Sequence, residues 1–185
     1  MDEQRDKLIE AAVALLDAAP GKRLQITNLN KALFYLDLAA LRDLGKTLTG
    51  CTYVAYERGP VVDRYQSALV DELVVGGFAR QDDLGMSKPL VLERPIMSFQ
   101  HMDDYHRQLA ALVAAHIAEQ TAKGVSDWSH KNPGWLAARS LGESVPIDML
   151  LALQQVVNSD PWLSEPLNEE ERAALDDSGE AAVPW

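Results

Sequence analysis

Between Thr49 and Leu73 the chain reads TGCTYVAYERGPVVDRYQSALVDEL, and this stretch limits how its neighbours can be arranged. Thr52 to Tyr56 is β-branched and aromatic, which favours an extended strand over a helix. Gly59 can adopt backbone angles closed to other residues. Pro60 sets φ near the helical value where an N–H would be unpaired anyway, so the pair predicts a sharp helix start, with the helix running to Val75. Val61, Tyr65, Ala68, Leu69 and Leu73 recur at three- and four-residue intervals, the spacing of one buried helical face. The turn is then gripped between two packed elements, with Glu57 and Arg58 at its rim.

Upstream, residues 3–19 form an amphipathic pattern with Leu8, Ile9, Ala12, Val13 and Leu16 on one face, Asp2 placed to cap it, and Pro20 and Gly21 to end it. Thr27 is the expected cap of the next helix, LNKALFYLDLAALRDL, which Gly45 stops. A helix apolar nearly all round is buried on more than one side. Lys31, Tyr35 and Asp37 interrupt it, and the expectation is that they lie at its solvent edge and pair locally, a binding role being the alternative.

Downstream, Gly76 and Gly77 precede a short strand from Phe78 to Gln81, a polar turn DDLGMSK and a returning strand from Pro89 to Arg94. That hairpin has the outline of a winged-helix wing, so the fold class is α+β, mainly α-helical, with a small winged-helix-like β-hairpin and a short strand before the Gly-Pro helix. Ser98 is the expected cap of a long helix reaching about Lys123, with Gly124 beyond its end. Pro133 and Gly134 separate a turn holding Asp127, Trp128, Ser129 and His130 from a helix near Trp135, and Pro146 is the expected start of one more. Residues 1–158 read as a single domain and 159–185 as an acidic, mobile tail in which Asn168 and Glu171 could form a small capping box.

The net charge of -11 is concentrated in that tail, where eight acids face Arg172 alone, so residues 1–158 carry only -4. The expected helix from Pro60 to Val75 sets Arg64 against Asp63, Asp71 and Glu72, and no basic stripe of the kind that binds phosphates is present, which argues against nucleic acid. Cys51 is the single cysteine, so an intrachain disulfide is impossible. The opening MDEQRDKLIE lacks the basic-then-apolar pattern of a signal peptide, and no apolar run approaches the roughly 20 residues of a membrane span. The expectation is a cytoplasmic protein without a membrane segment.

Catalytic and metal signatures are thin. His101 and His106 are five apart rather than the four that puts two ligands on one helical face, and His116 lies ten further on, so no metal is expected. The glycines at 45 and 50 are not followed by the sequence that wraps phosphate, and no cofactor is implied. Cys51 with His130 has no local nucleophile signature, and Cys51 reads as a small apolar packing residue. Asp127 and His130, three apart, would face each other on a helical turn, where the carboxylate could orient the imidazole for catalysis. The structural alternative has Trp128 and Trp135 anchoring the segment while His130 hydrogen-bonds a nearby carbonyl.

Three segments, LNKALFYLDLAAL (29–41), LTGCTYVAYERGPVVDRYQSAL (48–69) and DWSHKNPGWLAA (127–138), together resemble the Panacea antitoxin domain family, which includes SocA-like antitoxins and phage-associated relatives. The resemblance covers roughly residues 5–155 and marks Lys31, Asp37, Tyr53, Gly59, Pro60, Asp127 and Trp135 as its structural motif. It implies a non-enzymatic protein that neutralises a cognate toxin by direct binding, some relatives handing the toxin to a protease. Homo-oligomerisation stays open. An autoregulating winged-helix-like DNA-binding regulator is the alternative, on fold outline alone.

Interfaces draw on Tyr, Trp and Arg at their centres. Strand alternation sends Tyr53, Ala55 and Glu57 to one side and Val54, Tyr56 and Arg58 to the other. Tyr56 and Arg58, with Tyr35 or His130 nearby, are therefore the expected partner-binding residues. The competing expectation has both tyrosines in the core and Arg58 paired with Glu57 or Asp63.

Overall fold

Helix α2 (Ile26–Leu44) is the element around which the others pack: α1 (Glu3–Ala18), α4 (Asp104–Glu119), α5 (Ala122–Ser129), α7 (Met149–Asn158) and two strands all contact it. The computed structural model describes residues 3–82, 88–120 and 122–158. Asp2, most of the polar turn in the hairpin, Asn168, Glu171 and the acidic tail lie outside the described residues. A single hydrophobic cluster runs from Leu8 to Val156, and the fold is mainly α with small antiparallel sheets.

The near-continuous apolarity of α2 has the consequence expected of it, since every residue from Asn28 to Ala40 is buried. The polar exceptions are buried as well. Lys31, Tyr35 and Asp37 have 0% exposure, which corrects their expected place at a solvent edge. With helices and strands on all sides, α2 has no solvent edge along its middle turns, and the polar groups must be satisfied inside or remain unpaired. Gly45 ends the helix as expected, with φ +71 and its N–H returned to the Leu41 carbonyl.

The start of α2 departs from the reading. Strand β1 (Arg23–Gln25) runs straight into the helix, Gln25 is the cap residue, and Thr27 lies inside the first turn. Pairing of β1 with β5 (Pro89–Leu92) holds Gln25 extended and so moves the boundary upstream. β5 also pairs antiparallel with β4 (Ala79–Gln81), giving the expected hairpin a third strand in the order β1-β5-β4.

The largest correction concerns Gly59 and Pro60. They do not start a helix. Gly59–Val62 is strand β3, paired antiparallel with β2 (Tyr53–Tyr56) in register Tyr56↔Gly59 and Ala55↔Pro60, so Glu57 and Arg58 form a two-residue hairpin turn. β3 is an edge strand, where the missing N–H of proline is tolerated, and Val61 and Val62 favour the extended chain. Helical structure begins only after Arg64 (φ +51), with a π-helical turn Gln66–Val70 leading into α3 (Asp71–Val75).

Two more boundaries move for tertiary reasons. Ser98 does not cap α4; the Asp103 side chain does, accepting the His106 N–H. Residues ahead of it are kept out of the helix by the buried Glu10 carboxylate, which accepts the N–H groups of Gln100 and His101 at 2.8 Å each. The expected single helix to Lys123 is interrupted at Gln120, which is extended (φ -93, ψ 147), and Gly124 falls inside α5. Pro146, expected to open a helix, instead lies opposite Val54 in β6 (Val145–Pro146), the other edge of the sheet β3-β2-β6. Asp148 caps α7 through the N–H groups of Leu150 and Leu151.

Candidate functional site

Strand β2 sits in the middle of its sheet and carries two tyrosines with different surroundings. Tyr53 is 1% exposed and belongs to the core, whereas Tyr56, at the strand end, is 37% exposed. Glu57 and Arg58 are exposed at the tip. The side chain of Arg58 makes no ion pair or hydrogen bond among the described residues; Asp63 is 3.5 Å from Arg64 instead. Beside the tip lies a cleft of about 270 Å³ lined by Ile26, Asn30, Val61 and Tyr65 together with Tyr56, Arg58, Glu57 and Glu143. A second open cleft, about 250 Å³, is lined by Arg5, Glu72, Asp63 and Arg64, charges that already pair with one another.

The tip is braced from three directions. The indole N–H of Trp135, on α6 (Pro133–Leu141), donates to the Tyr56 carbonyl at 3.1 Å. The Ser126 hydroxyl donates to the Arg58 carbonyl at 3.3 Å, and the buried Asn30 amide oxygen accepts the Val62 N–H at 2.9 Å. Gly59 (φ +114) passes so close to α2 and α5 that a Cβ there would stand 2.6 Å from Ser129 Oγ and 2.9 Å from Lys31 Cε. Glycine is therefore required twice over, by backbone angle and by space.

Lys31 is the electrostatic anomaly. Its Nζ is buried and has no hydrogen-bond partner among the described residues. Burial, assisted by the nearby Arg58 charge, pushes its pKa down to about 8. Below that value the ammonium is charged in both the folded and the unfolded chain, and the fold bears the whole penalty. Above the ordinary 10.5 neither state is charged, so the penalty fades as pH rises from about 8 to 10.5. Lys31→Met is therefore expected to raise stability by about 2–4 kcal/mol at neutral pH. Chemical denaturation of both proteins across that range should show the wild type closing the gap, and a constant gap would contradict the assignment.

His130 stacks flat on Trp135, ring centroids 4.3 Å apart at 14°, and its Nε2 is buried without a hydrogen-bond partner among the described residues. Asp127 does not hold it. That carboxylate is bound by Lys123, which keeps it below the usual carboxylate range, with His130 a smaller contributor. The pair expected to face each other on a turn is thus divided: Asp127 to Ser129 form the last turn of α5, and Asp127 is exposed. Tyr35 has no surface to offer. Its ring stacks on Trp128 at 4.1 Å and its hydroxyl donates to Gln155 Oε1 at 3.1 Å.

Several residues that hold this arrangement were not legible as such. Gln155 also donates to the Trp128 carbonyl and accepts from Asn132, and Asn132 in turn caps α6 by accepting the Trp135 N–H. Asn immediately before Pro133 is a recognisable helix-start signal that could have found Asn132. Nothing local marks Gln155, Ser126 or Asn30. Among the described residues no group of three or more His, Cys, Asp and Glu side chains is placed to hold a metal ion, and no helix is long and apolar enough to cross a membrane.

The model of the SocA-like antitoxin, Panacea domain matches residues 29–136, a span that contains Lys31, Asp37, the whole β2–β3 hairpin, His130 and Trp135. No curated protein and no solved structure matches the chain.

Proposed function

This chain belongs to the SocA-like antitoxin, Panacea domain family, and on that premise we propose that it is a non-enzymatic interaction protein that neutralises a cognate toxin by binding it through the β2–β3 tip. The observation that carries the reading is an exposed aromatic, Tyr56, beside an unpaired guanidinium, Arg58, on a turn whose backbone is braced by Trp135, Ser126 and Asn30. A rigid tip loses little entropy on docking, and Tyr and Arg are the side chains that concentrate binding energy at interface centres. His130 supports the tip indirectly, through its stack on Trp135. Delivery of the bound toxin to a protease fits the same architecture, because the tip occupies only one end of the sheet.

The test is co-expression with the product of the adjacent gene. The neighbour should be toxic alone, rescued by this chain and co-purified with it. The double variant Tyr56→Ala, Arg58→Ala is expected to weaken the complex at least 30-fold, roughly 2 kcal/mol or more, at an unchanged melting temperature. Retained binding, or loss of folding, would count against the tip as the docking site. The DNA-binding alternative has less support: α3, which follows the β2–β3 hairpin, begins with Asp71 and Glu72 and carries no Lys or Arg.

A further inference from the structure

Gly59 lies between two cations. Lys31 Cε approaches the Gly59 backbone from α2, Arg58 is the residue before it, and neither makes an ion pair among the described residues. Arg5, Lys7, Lys22, Arg42, Arg80, Arg107 and Lys123 each sit on an Asp or Glu, and none of them is buried as Lys31 is. In a chain with 28 acids to 17 Lys and Arg, a buried unpaired ammonium next to an unpaired guanidinium runs against the composition. Such a charge is costly to keep in a protein interior unless something compensates it.

We propose that the missing counter-charge is supplied by the partner, and that the β2–β3 tip is a receptor for a single carboxylate flanked by an apolar side chain. This deepens the docking reading above and rests on it. Arg58 is the contact, since it is exposed and can grip a carboxylate with two parallel hydrogen bonds. Lys31 has no exposed surface and acts from behind, where low dielectric lets its charge strengthen the Arg58 pair. The apolar neighbour of the carboxylate enters the cleft of Ile26, Val61 and Tyr65 beside Tyr56. Glu57 and Glu143 line the same cleft and are exposed, so they repel a run of acids while tolerating one carboxylate held at Arg58.

The probe is the capped peptide Leu-Glu-Phe at millimolar concentration, with capped Leu-Gln-Phe as its uncharged control, followed by NMR at the Arg58 Nε and Lys31 Nζ signals. The Glu peptide should move both signals and bind at least fivefold more tightly than the Gln peptide. Arg58→Ala should abolish that preference. Lys31→Met, once its cooperative unfolding confirms that it folds, should weaken the Glu peptide about fivefold and leave the Gln peptide unchanged, about 1 kcal/mol by the affinity relation. Equal binding of the two peptides, absence of binding, or a wild-type preference in Lys31→Met would overturn the proposal. The adjacent gene's product separates this from the docking reading. If it binds wild type and both variants equally, the carboxylate receptor is wrong while the antitoxin reading stands. If it does not bind wild type, the antitoxin reading fails and the peptide still decides this one.

Discussion

Gly59→Ala is expected to destabilise the protein by roughly 2–6 kcal/mol, combining a positive-φ penalty with a steric clash, which corresponds to about 5–20 °C in Tm for a domain of this size. Two independent causes add here. Its φ of +114 is open to glycine and strained for any L side chain, and the new methyl would lie 2.6 Å from Ser129 Oγ and 2.9 Å from Lys31 Cε. Both of those atoms belong to side chains, so part of the clash can be relieved by movement, whereas the backbone strain cannot. A second substitution separates the two. Ser129→Ala removes the closest atom, so the double variant should recover the part of the steric share due to Ser129 and leave the conformational share and the Lys31 contact, a coupling that a double-mutant cycle reads directly. Thermal unfolding of the four proteins is the measurement, and a Gly59→Ala protein with the wild-type Tm would refute the close approach on which the candidate site depends.

Asp37→Ala is the second change with a large expected effect, about 3–5 kcal/mol lost, because it strands buried donors rather than removing a contact. The carboxylate, with 0% exposure, accepts the Thr49 N–H at 2.8 Å, the Tyr53 hydroxyl at 2.8 Å and the Thr49 hydroxyl, and so ties α2 to the loop that leads into β2. Asp37→Asn should cost less, since its carbonyl can keep the Thr49 N–H while the two hydroxyls reorient to accept from the amide. Burial raises the Asp37 pKa above its ordinary 3.8, although the bonds from Thr49 and Tyr53 pull the other way. The folded chain therefore holds a proton that the unfolded chain has released in the window above 3.8, and the contribution of Asp37 to stability falls as pH rises through that window. The margin of wild type over Asp37→Asn should accordingly be largest in acid. Urea titrations at several pH values test this, and a margin that grows with pH would mean that the donors, not burial, govern the carboxylate.

Part of this molecule is written in local pattern. The three- and four-residue spacing of apolar side chains marks α1 and α2, Gly45 marks the end of α2, and the β-branched and aromatic run of Tyr53–Tyr56 marks β2, because in each case the preference arises within one or two turns or a few strand residues. The family resemblance was likewise legible, since the stretches that carry it lie within or across the matched span. Proline shows where local pattern stops. Pro60 and Pro146 read as helix starts, and both lie on edge strands of the sheet β3-β2-β6, an environment that exists only once the three strands have paired.

The polar residues of α2 carry the same lesson for the site. Lys31, Tyr35 and Asp37 read as a solvent edge because hydropathy along one helix cannot report what packs on its far side. Their burial was decided by elements distant in the chain, as when Tyr35 meets Gln155 across 120 positions. Exposure was sorted in the same way at the tip. Alternation along β2 predicts one open face, yet Tyr53, Val54 and Ala55 are all buried and Tyr56 is exposed only at the strand end. That Arg58 would find no acid and Lys31 no partner follows from which side chains the folded chain brings near Gly59. The sequence by itself determined the helical framework and the residues available at the hairpin. Tertiary packing decided which of their charges are compensated, because compensation depends on distances between segments that no local spacing encodes.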